Sequence, residues 1–250
     1  MTDFSYQLYC SRNFPPLSKT LEMVAAAGYK NVEGYGALYA DAAKVAELNQ
    51  HLAASGLKMP TGHFGLDQLE KEPGRVLEIA KAVGIETIYC PFLPPDQRPD
   101  SGKGWLEFGR RLQNAAAPYR DAGLGFGWHN HDFEFRPLPD GSLPIVAIFE
   151  GGPDLEWEAD LAWLVRGGAD PFEWIRTYGK RITAVHVKDI GSEGKAEEDG
   201  WADVGDGTMD WKGLMVALEG TPVKVFVMEH DNPSDTARFA ERSLDAAKRF

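Results

Sequence analysis

Short β-rich runs and segments of helical period alternate along this chain from end to end, eight times over. That alternation narrows the available folds more than any other feature. The β-type runs are Phe4–Cys10, Asn31–Gly36, Lys58–Phe64, Thr87–Phe92, Gly125–His131, Leu155–Asp160, Ile182–Asp189 and Val223–Asp231. Amphipathic segments follow them: LSKTLEMVAAA after Pro16, DAAKVAELNQHLAAS with Asp41 as N-cap and Gly56 as stop, PGRVLEIAKAV ended by Gly84, a long helix over about Gly104–Ala122, then PIVAIFE, DPFEWIRTY, DWKGLMVALE and PSDTARFAERSLDAAKRF. Parallel strands need crossover connections, and these helices supply them. Eight such units in 250 residues, with no linker or break in composition, predict a single (β/α)8 TIM barrel spanning residues 1–250. The rival is an open doubly wound sheet. It would be expected to carry a G-x-G-x-x-G turn after a strand, and the chain has none.

Composition then limits the partners. With 43% hydrophobic residues the chain can bury a large core unaided. No run approaches the roughly 20 apolar residues of a membrane helix. The N-terminal MTDFSYQLYC lacks a basic region followed by an apolar one, so the expected location is the cytoplasm. A net charge of −12 without a basic stripe speaks against nucleic acid and anionic membranes as partners. Cys10 and Cys90 have no metal or redox spacing and read as small core residues.

In such barrels chemistry sits at the C-terminal ends of the strands, and the polar residues collect there. Strand two carries Glu33 and strand three ends at His63. Strand five ends in His129 and His131, with Asp132 and Glu134 beyond. Strand six ends in Glu158 and Asp160. Strand seven carries His186, Lys188 and Asp189, and strand eight Glu229, His230 and Asp231. Alternation puts His129 with His131, Glu158 with Asp160, and His186 with Lys188 on common faces. Imidazoles and carboxylates converging on one mouth suit a divalent cation such as Mn²⁺, Mg²⁺, Co²⁺ or Zn²⁺, and buried carboxylates without one would be costly. Each residue also has a structural reading. A lone strand-end His such as His63 is often only hydrogen-bonded, and Glu33 could pair with a neighbouring strand. His51 reads as a solvated face, and His230 alternates away from Glu229 toward the helical layer. Asp231 could cap the last helix. Lys188 could pair with Asp189, although its phase with His186 favours an inward position. Trp105, Trp163 and Trp201 either stack on the C–H faces of a sugar or pack beneath loops.

The runs HNHDFEF (129–135), WEADLAWLVRGGADP (157–171), AVHVKDI (184–190), VGDGTMDW (204–211) and MEHD (228–231) resemble the xylose-isomerase-like barrel superfamily, the sugar phosphate isomerase/epimerase group. The likeness covers essentially the whole chain, and it is the order and spacing of the runs together that make it specific. The resemblance implies a cation held from strands five to eight, with Asp160, His186 and Glu229 as three ligands. Many members have a Glu at the strand-five position. Here that place is His129, so either His129 ligates or Glu134 reaches back from the loop. Where the epimerases carry a second His, this chain has Trp163. Glu33, His63, Trp105, Trp163 and Trp201 are the expected substrate contacts.

The expected activity is isomerisation or epimerisation of a small sugar, by proton abstraction beside a carbonyl. Glu229 and one of His129, His131 or Glu134 are the expected acid and base, with Lys188 a donor to the enediolate. The nearest rival is a dehydratase or lyase acting on a keto-sugar or inositol-like ring. A non-catalytic sugar-binding barrel and an apurinic endonuclease are more distant, the latter opposed by the charge. The expected partner is a small-molecule sugar, unphosphorylated for want of a phosphate cradle. Association into a homo-oligomer is left open.

Overall fold

The computed structural model describes residues 3–192 and 197–250. Eight parallel strands close into a barrel: β1 (Phe4–Gln7), β2 (Asn31–Gly34), β3 (Lys58–His63), β4 (Thr87–Cys90), β5 (Gly125–His129), β6 (Glu156–Asp160), β7 (Ile182–Val187) and, after a two-residue antiparallel ribbon of β8 (Asp189–Ile190) with β9 (Trp201–Ala202), β10 (Val225–Met228). The ends of the chain meet where β1 pairs with β10, with Tyr6 opposite Met228. The predicted fold is therefore the observed one.

Helices cover the outside of the barrel and bury the outward strand faces, where Tyr6, Val32, Trp128, Trp157, Val185 and Met228 are fully enclosed. Asp41 caps the helix Ala42–Ser55 as expected, its carboxylate accepting from the Lys44 N–H at 2.9 Å. Gly56 closes that helix at φ +71°, a conformation open to glycine at little cost. The expected helix over Gly104–Ala122 is two pieces, Gly102–Ala115 and Ala117–Asp121, because Pro118 has no N–H to continue the ladder. Helix Gly102–Ala115 packs closely on Pro144–Gly151. A Cβ on Gly109 would lie 2.2 Å from the Ile148 carbonyl oxygen. Two short helices were not anticipated, Leu66–Lys71 and Leu161–Arg166.

Strands stop earlier than the sequence suggests. β1 ends at Gln7 and turns into a 3-10 segment, β5 ends at His129, and β10 ends at Met228. Hence His131, Lys188 and Glu229 lie just past their strands, although the Glu229 N–H still bonds the Val187 carbonyl of β7. Two bulges adjust the register. One follows Asn31 in the β2–β3 pair, where β3 carries Pro60, a residue that cannot donate to a ladder. The other lies between Trp157 and Glu158, where Thr183 of β7 is the extra residue. Thr183 there accepts from the Tyr89 hydroxyl at 2.8 Å and donates to Glu156 at 2.7 Å, across the barrel interior.

Candidate active site

The C-terminal mouth gathers Glu33, His63, His129, Glu158, Asp160, His186, Lys188 and Glu229, all buried. His186, on β7, is the hub. Its Nδ1 lies 2.8 Å from Glu229 Oε2 and 3.9 Å from Asp160 Oδ2, and its Nε2 lies 2.8 Å from Glu33 Oε1. Gln7 fixes that glutamate by donating Nε2–H to the same oxygen at 2.6 Å. Asp160 is set by local structure. It is the N-cap of Leu161–Arg166, with Oδ1 accepting from the Trp163 N–H at 2.8 Å. Its backbone is clamped by Asn130, whose Oδ1 accepts from Asp160 N at 3.1 Å and from Trp157 Nε1 at 2.7 Å. Asp160 Oδ2 is left buried with no hydrogen-bond partner.

Among the described residues, one fixed cation stands among these carboxylates. Lys188 Nζ is 2.6 Å from Asp231, 3.2 Å from Glu229 and 3.7 Å from Asp160. Burial opposes its charge, but those three carboxylates override burial and hold its pKa above the usual lysine value. Burial likewise works against a charged His186, and Glu229, Glu158 and Glu33 outweigh it, raising that imidazole well above its ordinary range. Burial lifts the Asp160 carboxyl to about 7, with Lys188 pulling the other way. His129 is driven down to about 4, by burial first and by the neighbouring His186 second. His131 is lowered well below its usual value for the same leading reason, with His129 second. Both therefore stand as neutral imidazoles, the form that ligates metals and accepts protons.

Atoms of Asp160, His186 and Glu229 that could ligate a cation lie within 4.8 Å of one another. The expected three thus converge. His129 does not join them. It groups instead with His63, Glu158 and His186. Glu134 does not reach back to the mouth. Its carboxylate accepts from Trp128 Nε1 at 3.0 Å and from the His131 backbone N–H at 2.9 Å, so it braces the loop after β5. Lys188 is enclosed behind Glu229 and Asp231, and acts by holding them rather than by facing a ligand. Asp231 caps no helix, a role taken by Asp235, which accepts from Ala237 and Arg238.

Above the cluster opens a cavity of about 430 Å³, lined by His63, His129, His131, Glu229 and Asp231 on one side and by Tyr9, Tyr35, Pro91 and Phe92 on the other. The three tryptophans expected there are elsewhere. Trp105 is buried against Phe108 and Phe133. Trp163 and Trp201 meet edge to face at 4.7 Å and take the Lys188 ammonium over their rings, at 5.0 and 4.2 Å. They serve a buried cation, since the indole faces are already occupied. Glu33 lies below the cavity, bonded to Gln7 and His186. The sequence reading passed over Tyr9, Tyr35 and Phe92, and it gave no role to Asn130. Asn130 had a signal, since alternation turns it away from its two histidines and toward β6. The aromatic wall had none, because it is assembled from three separate loops. Asp189, offered as a partner for Lys188, instead accepts from the backbone N–H groups of Ile190, Gly205, Gly207 and Met209.

The sequence profile of one family, described as the xylose isomerase-like TIM barrel, matches residues 21–250. No curated protein matches the chain in sequence. Among solved structures, a sugar phosphate isomerase/epimerase from Parabacteroides distasonis superposes with a TM-score of 0.83 at 19% identity, over 98% of this chain and 94% of that one. A 3-keto-D-glucoside 4-epimerase from E. coli superposes at 0.74 with 17% identity, over the whole of both chains. A probable 3-DHS dehydratase from Bacillus anthracis does so at 0.73 with 14% identity, over 99% of each. At these identities the likeness is one of fold. No helix among the described residues is long and apolar enough to cross a membrane.

Proposed function

The chain belongs to the xylose isomerase-like TIM barrel family, and from that premise we propose that it is a divalent-cation-dependent isomerase or epimerase of a small, uncharged sugar or keto-sugar. One observation carries the proposal. Asp160, His186 and Glu229 bring ligand atoms within 4.8 Å of one another beneath an open cavity, and Asp160 Oδ2 is buried there without a partner. A mixed nitrogen and carboxylate set of this kind suits Mn²⁺, Co²⁺, Mg²⁺ or Zn²⁺. Glu33, 2.8 Å from His186 Nε2, orients the imidazole so that Nδ1 faces the other two ligands. Three protein ligands leave positions open on the cavity side, as a catalytic site requires.

A bound cation supplies Lewis acidity, which makes the C–H beside a carbonyl easier to deprotonate. The side chains do the rest. Glu229 borders the cavity, and its pKa is held well below the usual carboxylate range because Lys188 and His186 outweigh burial. It is therefore ionised and placed to take a proton. His131 borders the same cavity as a neutral imidazole with Nδ1 unpartnered, and is placed to accept a proton from a substrate hydroxyl and then to give that proton back. Tyr9, Tyr35 and Phe92 offer flat faces to a sugar ring, and among the described residues no Lys or Arg lines the cavity. Arg12 and Arg98 flank the wall but donate to the carbonyls of Tyr9 and Leu93. An unphosphorylated substrate fits that wall best.

The test is Glu229→Gln in cation-loaded enzyme, following deuterium from solvent into the substrate α-carbon. Exchange should fall by about 10²–10⁴-fold. Undiminished exchange removes Glu229 from the base role.

A further inference from the structure

The cavity over the mouth has a floor and a rim. On the floor, His63, His129 and Glu229 are each less than one-tenth exposed. At the rim stand Tyr9 and Phe92, 38% and 41% exposed, together with the exposed Gly36 and Gly65. A carbon that gives its proton to Glu229 lies on the floor, so whatever occupies the rim is a part of the substrate remote from the reaction. We propose that the rim is a second subsite, which takes a further uncharged ring, a second sugar or an aryl group, carried by the sugar on the end away from its reacting carbon. The inference rests on Glu229 as the base for the placing of that carbon.

Three features support it. The first is room. To fill about 430 Å³, a hexose would have to spread its roughly twelve heavy atoms at about 36 Å³ each, more than the roughly 30 Å³ share of a whole water molecule in the liquid. A ligand of two rings fills the cavity better. The second is the walls. Tyr9 and Tyr35 meet edge to face with ring centroids 5.4 Å apart and form a corner. The Phe92 ring lies 5.4 Å from the imidazole of His131. A sugar held at His131 therefore needs only one further ring to lie against Phe92. Tyr9 and Phe92 each carry a guanidinium over one face, Arg12 at 3.9 Å and Arg98 at 5.0 Å from the ring centroid. Both guanidiniums are tied to backbone carbonyls, those of Tyr9 and Leu93. The rings are thus steadied before a ligand arrives, and little ordering is left to be done on binding. Exposed apolar rings facing one cavity mark a contact surface, whereas exposed rings scattered singly do not.

The third is the pair of rim glycines. Gly65 has φ −65°, and Gly36 also lies outside the left-handed region, so a side chain could follow the backbone at either position. A Cβ on either would meet no atom within 4 Å among the described residues. Neither conformation nor packing calls for glycine there. What the two supply is open space along the rim, beside the ring of Tyr35.

The experiment compares ligands of one and two rings on the full-length chain: D-glucose, cellobiose and 4-O-benzyl-D-glucose, and the matching series built on D-xylose. Saturation-transfer NMR on the wild type needs neither turnover nor a substitution. Saturation should reach the protons of the second ring as strongly as those of the first, and the two-ring ligands should bind about tenfold tighter than their one-ring parents. A gain confined to the benzyl ethers would assign the rim to an aryl group, and one confined to the disaccharides to a sugar. Gly65→Leu narrows the open stretch and Phe92→Ala removes a wall, and each should cut the preference several-fold. Equal affinities for one and two rings in the wild type, or a preference that survives both substitutions, overturns the rim subsite. Uptake of solvent deuterium into the same sugars by the cation-loaded wild type tests the reaction separately. A binding preference for two rings with no exchange in any sugar would refute the proton-transfer reading and leave the subsite standing. Exchange without such a preference would do the reverse.

Discussion

Asp160 is held in two opposing ways. One carboxylate oxygen caps a helix, and the other is sealed away from water beside Glu229. Burial raises the group from the ordinary carboxyl range to about 7, so above neutral pH the fold retains an anion it would rather not bury. The stability contributed by that shift is fully present below the unfolded pKa and is lost as pH rises through about 7. Asparagine can cap the same helix without the charge. Cation-free Asp160→Asn should therefore melt higher than the cation-free wild type, by an amount that grows from pH 4 to pH 8 and reaches the order of a few kcal/mol. A gap that does not widen with pH would mean the carboxylate is not strained. Glu134 makes a parallel case. Burial lifts it to about 8 against its hydrogen bonds, so at neutral pH it is a largely protonated acceptor for Trp128 and His131. Its stabilising proton is present below the unfolded pKa and is lost as pH climbs through about 8. Glu134→Gln should be nearly neutral at pH 6 and stabilising at pH 9. Glu134→Ala should cost about 1–3 kcal/mol at either pH, because it strands a buried indole N–H. Urea denaturation at the two pH values distinguishes these outcomes.

At the scale of elements, eight β/α units could be read directly because strand and helix periods differ and the helix stops are glycines. Where each strand ends could not be read. Polar residues such as Lys188 and Glu229 continue an extended pattern in sequence, yet each lies one residue past its strand. The convergence of Asp160, His186 and Glu229 was legible, since each closes a strand and alternation fixes its side. The choice between His129 and Glu134 was not. It depends on the turn after β5, where Phe133–Phe135 forms a 3-10 segment that carries Glu134 back beneath Trp128. The tryptophans misled for a related reason. Their size suited a sugar, but their ring faces were already committed to Lys188 or to core neighbours. The contact between helices Gly102–Ala115 and Pro144–Gly151 was invisible until both backbones were placed. Gly109→Ala should cost about 1–3 kcal/mol despite alanine's better helix propensity, because the new methyl meets the carbonyl of Ile148 rather than a movable side chain. A variant as stable as the wild type in thermal melts would mean the helices can separate freely.

Taken as a whole, the barrel brings residues far apart in sequence to one small volume, and a cation that binds there binds only the folded state. At 100 times its dissociation constant a single ion adds about 2.7 kcal/mol, which in a domain of this size raises Tm by about 5–10 °C. Calorimetry with chelator and with Mn²⁺ or Co²⁺ checks this directly, and identical melting curves would sink a cation site at Asp160, His186 and Glu229. The pairing of β1 with β10 has one further result, and it concerns time. Gln7 steadies Glu33, Glu33 aligns His186, and His186 meets Glu229. This hydrogen-bonded relay starts on the first strand and ends just past the last. A chain still emerging from the ribosome holds the early members and lacks the final one. The relay cannot be completed before Glu229 has been made, so this part of the pocket forms only as β1 and β10 close the barrel.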